Sequence, residues 1–186
     1  MSNPDFETFL VPHLSILRTS YNRWTGRELA LEGMNASEAA AFLEEAPFAL
    51  VSHNTNPDPM FNYGNQLALA LFEMDWEKFT SLSSRLSAEP VNREERTRLL
   101  AAVTRHGFID DYSGIRISAR KRRFVICDAT VWNLLDAAGN YYGQAALIRS
   151  WEYLKQENYI SPDASGNEVL QEATVGQKEG GASAHL

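Results

Sequence analysis

Residues 5–24 carry apolar side chains at helical spacing: Phe6, Phe9, Leu10, Leu14, Leu17, Tyr21 and Trp24. Pro12 interrupts this stripe and removes a backbone donor. The pattern predicts a short helix running into a longer one, or one kinked helix, closed by Thr25-Gly26. Ser37 reads as the N-cap of a second helix over Glu38–Glu45, which Pro47 stops. The texture then changes. Phe48–Ser52 reads as a short buried strand, Asn54–Pro59 as a turn and Met60–Tyr63 as a second strand. Asn65 and Asp75 are placed to cap two short helices, Gln66–Glu73 and Trp76–Leu82. Asn92 and Glu95 have the spacing of a capping box that opens a helix over Arg93–His106, closed by Gly107.

The last third is β. Phe108–Ser118, Arg122–Leu135 and Tyr141–Trp151 read as three strands, and the short links Ala119–Lys121 and Asp136–Asn140 suit antiparallel hairpins. Strict alternation along the middle strand puts Phe124, Ile126, Thr130, Trp132 and Leu134 on one face, and Val125, Cys127, Ala129, Val131 and Leu135 on the other. A strand with one wet face should alternate apolar with polar, and this one is apolar on both. The second face of the sheet therefore needs a cover, either the N-terminal helices or a second copy of the chain.

Composition narrows the function classes. The chain has 186 residues, enough for one good core, with 44% hydrophobic and 22% charged residues, the balance of a folded domain. Its 17 basic and 24 acidic residues give a formal charge of −7, which opposes a nucleic-acid groove. Residues 161–186 hold four acids and one base, have no periodicity, and read as part of a mobile tail that carries −3 of that charge. No apolar run approaches the roughly 20 residues of a membrane span. The N-terminus lacks a basic leader followed by an apolar run. A single cysteine, Cys127, excludes an internal disulfide framework and a Cys-only metal site, and fits a reducing, cytoplasmic setting. The expected division is N-terminal helices over 1–46, a sheet-containing domain over 47–155 and a tail over 156–186.

Two strands, a run of short helices and three long antiparallel strands is the order of a PAS domain. Phe61-Asn-Tyr-Gly-Asn65-Gln-Leu-Ala resembles the PAS strand-to-helix step, in which an Asn caps the first helix. Glu89-Pro90 before a charged helix resembles a PAS segment that often reads His-Pro-Glu-Asp, here without the His and the acidic ending. More specifically, the chain resembles MEKHLA-domain proteins, a PAS-like family. The resemblance is carried by YNRWTGREL, APFALVSHNTNPDPMFNYGNQLALALFEMDWEKFTSLSSRLSAEPVNREERTRLL, HGFIDDYSGIRIS and DATVWNLLDAAGNYYGQAA, and spans roughly residues 17–155. The basic turn Arg120-Lys121-Arg122-Arg123 departs from it, since a shorter, less basic turn is usual there.

The resemblance implies an α+β fold: a PAS-like five-stranded antiparallel sheet, short helices on one face and an N-terminal helical cover. In class III homeodomain-leucine zipper regulators of plants a related domain is associated with sensing a signal and restraining dimerisation. Stand-alone bacterial versions of the domain also exist, and this chain is expected to be one of them. The implication is a small cytoplasmic sensor or signalling module, expected as a homodimer, with no cofactor named and no nucleic acid or membrane as partner.

The space between helices and sheet is the usual ligand site of such a fold. The candidate cavity residues are Phe61, Tyr63, Phe72, Tyr112, Arg116, Trp132, Asn133 and Gln144, with Arg116, Asn133 and Gln144 able to orient a small apolar or aromatic ligand. Plain core is the competing reading of the aromatic members. His53 and His106 read as polar or capping histidines, His13 and His185 as uninvolved, and Cys127 as a small buried filler. Asp110-Asp111 is a carboxylate pair whose members face opposite ways, one of them expected to bond Arg116 or Arg122. Arg120–Arg123 is a basic turn that either grips an anion or keeps the surface soluble. Phosphate loops, nucleophile elbows and zinc-helix motifs are absent, so no catalytic or metal residue is assigned. Three functions remain: a sensor that binds a small molecule or protein partner and signals through dimer or partner packing, an enzyme using His53 or Asp110 as base in the same cavity, and a ligand-free interaction domain.

Overall fold

A computed structural model describes residues 5–89 and 92–155. The tail expected over 156–186 lies outside the described residues. A π-helical turn over Phe6–Leu10, capped by Asp5 through the Thr8 amide at 2.8 Å, runs straight into α1 (Val11–Thr25). Pro12 falls in the first turn of α1, where its missing donor costs least. Gly26, at φ +70°, closes the helix with its amide on the Asn22 carbonyl. The cap of α2 (Ala36–Glu44) is Asn35, two residues before the expected Ser37: Asn35 and Glu38 form a reciprocal capping box, each side chain accepting the other's backbone amide at 2.9 Å.

Next come β1 (Ala49–His53), β2 (Phe61–Gly64), α3 (Gln66–Phe72), α4 (Trp76–Thr80), a 3-10 turn over Ser84–Ser87, and α5 (Arg93–His106). Asn65 and Asp75 cap α3 and α4 as expected. Asn92 does not form the expected box. Its backbone is already helical (φ −98°, ψ −1°), and its side chain makes no cap bond. The chain ends in β3 (Phe108–Ile117), β4 (Arg123–Leu135) and β5 (Tyr141–Tyr153). The five strands form one antiparallel sheet in the order β2-β1-β5-β4-β3. Among the described residues no helix is long and apolar enough to cross a membrane.

Two apolar clusters sandwich this sheet. Phe61, Phe72, Phe79, Val103, Phe124 and Ile148 pack between it and α3–α5. Leu14, Leu17, Tyr21, Leu43, Trp132 and Leu147 pack between it and the pair α1 and α2. The second face is thus covered by the chain's own N-terminal helices. The sides taken along β4 depart from strict alternation. Phe124 and Ile126 lie under the short helices, while Trp132 and Leu134 lie under α1. Between them Asp128 has φ +51°, and the β3–β4 register slips between Tyr112 and Gly114. Such a bulge lets a strand exchange its faces part-way along.

Asn65 ties the layers at their start. It is fully buried, and its Oδ1 accepts from Leu50 N (3.0 Å) and Ala68 N (3.1 Å). Its Nδ2 donates to the Leu43 and Phe48 carbonyls at 3.1 and 2.9 Å. One side chain therefore satisfies the end of α2, the entry to β1 and the start of α3.

The seam between α1 and the sheet is polar as well as apolar. Trp24 Nε1 donates to the Asn133 carbonyl at 2.9 Å, and the Leu135 amide donates to Ser20 Oγ at 2.9 Å. His13 sits within the seam, 2% exposed, with Nε2 2.9 Å from Ser52 Oγ. Ser52 Oγ donates to Asn62 Oδ1, so the neutral ring donates from Nε2 and leaves a buried lone pair on Nδ1. Burial pulls the His13 pKa down to about 4. His13 falls on the stripe of Leu10, Leu14 and Leu17, and that placement is the sequence signal of its burial.

Two predictions follow from this packing. Trp132 is fully buried against Tyr21, ring centroids 5.0 Å apart. Trp132→Ala should cost about 3–5 kcal/mol in urea unfolding, and a loss below about 1 kcal/mol would contradict its core placement. His13 has a lower pKa folded than unfolded, so the unfolded chain binds the extra proton between about pH 6.5 and 4. Stability from this group is present above that window and lost as pH falls through it. Wild type should lose about 3 kcal/mol more than His13→Gln between pH 7 and 4; parallel pH curves would refute the buried neutral ring.

Candidate functional site

A cavity of about 60 Å³ lies between the sheet and Ser87 of the 3-10 turn with Arg96, Leu99 and Leu100 of α5. Its floor is apolar: Val51 from β1, Ile126 and Val131 from β4, and Ile148 from β5. Its polar wall is His53, Arg96, Tyr112, Arg116 and Gln144.

Of the residues expected at a cavity, Phe61, Phe72, Tyr112, Arg116 and Gln144 line it. Tyr63 and Trp132 do not; both belong to the cluster under α1 and α2. Each is displaced by a bulge. Ser52 pairs with Tyr63 but His53 pairs with Phe61, so Asn62 is an extra residue that turns Phe61 and Tyr63 to opposite faces. Trp132 lies beyond the face switch at Asp128. Tyr63 instead donates its hydroxyl to Glu44 Oε2 at 3.0 Å. Asn133 stands just behind the wall. Its Oδ1 accepts from Gln144 Nε2 at 3.0 Å, and its Nδ2 donates to the Val103 carbonyl at 2.9 Å.

Two arginines dominate the electrostatics. Arg116 is 7% exposed; it donates to the Ile115 carbonyl (2.8 Å) and Tyr112 Oη (3.0 Å). Gly114 makes this arrangement possible, because a Cβ there would stand 2.2 Å from the Tyr112 hydroxyl. Arg96 is 8% exposed and donates to Ser84 Oγ at 2.9 Å. Burial, then the charge of Arg116, lower its pKa to about 10. Neither arginine forms an ion pair among the described residues. The carboxylate that acts on Arg96 is Asp58, which is itself held by Ser83 at 2.6 Å and Arg85 at 3.0 Å. Burial also lowers the pKa of His53, whose Nδ1 donates to the Asn54 carbonyl at 2.9 Å. Its buried Nε2 has no well-formed hydrogen bond.

Arg96 was not among the expected cavity residues, because it sits in the charged run Arg93–Arg98 that reads as a solvated helix face. The signal was its spacing: Arg96, Leu99, Leu100 and Val103 form one helical stripe.

The remaining candidates lie elsewhere. Asp110 accepts from Arg27 through both oxygens at 2.8 Å and from Thr130 at 2.7 Å, so its partner is Arg27 rather than Arg116 or Arg122. Partial burial opposes ionisation, but those bonds hold its carboxyl below the usual range. Arg122 stacks 3.9 Å above the Tyr153 ring and pairs with Glu73, while Arg123 pairs with Glu89 at 3.0 Å, so half of the basic turn is committed locally. His106 is exposed at the end of α5, and Cys127 is half-buried rather than fully so. Among the described residues no cluster of His, Cys, Asp and Glu could hold a metal ion.

Comparison with known structures agrees with this architecture. A PAS domain from Colwellia psychrerythraea superposes with a TM-score of 0.53 at 12% identity, over 63% of this chain and 95% of that one. The light-state dimer of the fungal blue-light photoreceptor Vivid gives a TM-score of 0.51 at 11% identity, over 73% and 91%. A light-oxygen-voltage domain studied with a flavin analogue gives 0.50 at 14% identity, over 63% and 84%. These likenesses establish the fold alone. No curated protein sequence matches the chain. The family model of the MEKHLA domain matches residues 11–153, which takes in α1 and all five strands. The chain therefore belongs to the MEKHLA domain family and has a PAS-like fold.

Proposed function

We propose that this chain is a sensory or regulatory module that takes a small molecule into the cavity above its sheet and relays occupancy to α1. One observation carries this: Asn133 belongs to both sides. Its side chain holds Gln144 of the cavity wall, and its backbone carbonyl accepts from Trp24 of α1. Trp24 also packs where Gly107 ends α5; a Cβ at Gly107 would stand 2.3 Å from the indole ring. A ligand that moves α5 or Gln144 thereby shifts the population of α1 positions, provided that it binds one arrangement better than the other.

The cavity's size limits the ligand. About 60 Å³ holds roughly four water-sized groups, far below the ~150 Å³ cavity that admits a benzene ring. Of the small apolar or aromatic ligand expected from the sequence, the volume favours a small body of a few heavy atoms over an aromatic ring. Output through a protein partner or a second copy would use the outer side of α1 and α2, since the sheet itself is already covered. The light-state dimer of the photoreceptor Vivid offers a precedent for self-association on the same fold. The enzymatic alternative loses one of its bases, because the Asp110 carboxylate is engaged by Arg27 and Thr130 and does not line the cavity.

Native mass spectrometry of the protein purified from its own host tests the proposal. A retained low-mass species, with a subunit count that changes when it is stripped, is the expected result. A species that carries nothing, with an unchanged subunit count across added metabolite extracts, would favour the ligand-free interaction domain instead.

A further inference from the structure

Two guanidinium groups face one small cavity, and no carboxylate among the described residues pairs with either. A buried charge is normally compensated, because removing it from water costs several kcal/mol. Here the problem is doubled, since Arg96 and Arg116 repel each other. Among the described residues, their side-chain bonds to Ser84, Ile115 and Tyr112 use three of the pair's ten N–H donors. Burial lowers the pKa of His53, and an imidazole supplies no negative charge in either protonation state. The cavity therefore presents positive charge suited to an anion, since Asp58, the carboxylate that acts on Arg96, is already engaged by Ser83 and Arg85.

The rest of the lining defines which anion. Besides the arginines the lining includes the aliphatic side chains of Val51, Ile126, Val131 and Ile148. A fully hydrated, multiply charged group would leave oxygens against these side chains. A carboxylate with a short hydrocarbon body matches both halves. Its planar head suits the planar fork of a guanidinium, and its body suits the aliphatic floor. We infer that the cavity is the binding site of a small aliphatic carboxylate, with its head held between Arg96 and Arg116. This rests on the proposed role of the cavity as a ligand site and specifies the chemistry that enters it.

Thermal unfolding of the full chain at fixed ionic strength tests the inference, with sodium propionate, propionamide, sodium phosphate or sodium chloride as added solute. Propionate should raise the Tm saturably, while propionamide and chloride should not, and phosphate should act more weakly. Arg116→Gln should weaken the propionate response about tenfold or more. Arg96→Met keeps the packing of the stem and removes the charge. It should abolish the response and, without solute, be at least as stable as wild type. Equal effects of propionate and propionamide would overturn the anion while leaving the ligand cavity standing, and phosphate acting more strongly than propionate would overturn the carboxylate. No response to any solute, with a retained neutral molecule in the native mass spectrum, would overturn this inference alone. No response and nothing retained would overturn the cavity's role as well.

Discussion

The constraint behind the whole molecule is a sheet that is apolar on both faces. Trp132 and Leu147 project to one side, and Phe124 and Ile148 to the other, all of them buried. Leaving either set in water would forfeit about 25 cal/mol for each Å² of apolar surface, so two covers are obligatory. The short helices α3–α5 make one cover and α1 with α2 the other. The N-terminal helices are therefore part of the core rather than an appendage, and the family match that begins at residue 11 includes α1.

That constraint also explains how much could be read without coordinates. Helices α1, α3 and α5 and all five strands are marked by periodicity, by Asn65, and by the glycines that close α1 and α5, because these signals are local. The need for a second cover was legible in the doubly apolar middle strand. What alternation hides is the bulge. Asn62 and Asp128 carry no motif that announces an extra residue, yet they decide that Tyr63 and Trp132 face α1 and α2 while Phe61 faces the cavity. Arg96 escaped for the opposite reason. Its residue type argues for solvent, and only its spacing from Leu99 and Val103 argues against it.

Polar groups are placed where the two covers meet the sheet. Asn65 is satisfied at all four of its bonds and fixes the entry of the fold. His13 and Ser52 join α1 to β1 beside His53 of the cavity wall. Asn133 joins Gln144 to Trp24. Buried polar contacts of this kind have a narrow geometry and lose free energy when stretched, whereas apolar contacts tolerate sliding. In the proposed relay, a change on the cavity side reaches α1 through Asn133 more directly than through the aliphatic floor.

Amide hydrogen exchange of α1 in Gln144→Ala examines this coupling directly. The substitution removes the side chain that Asn133 holds and touches nothing in α1. Amides of residues 14–24 should lose more protection than the variant's change in global stability accounts for. Altered exchange confined to α5 and β5, with α1 unchanged, would show that the two faces of the sheet act independently and would contradict the relay.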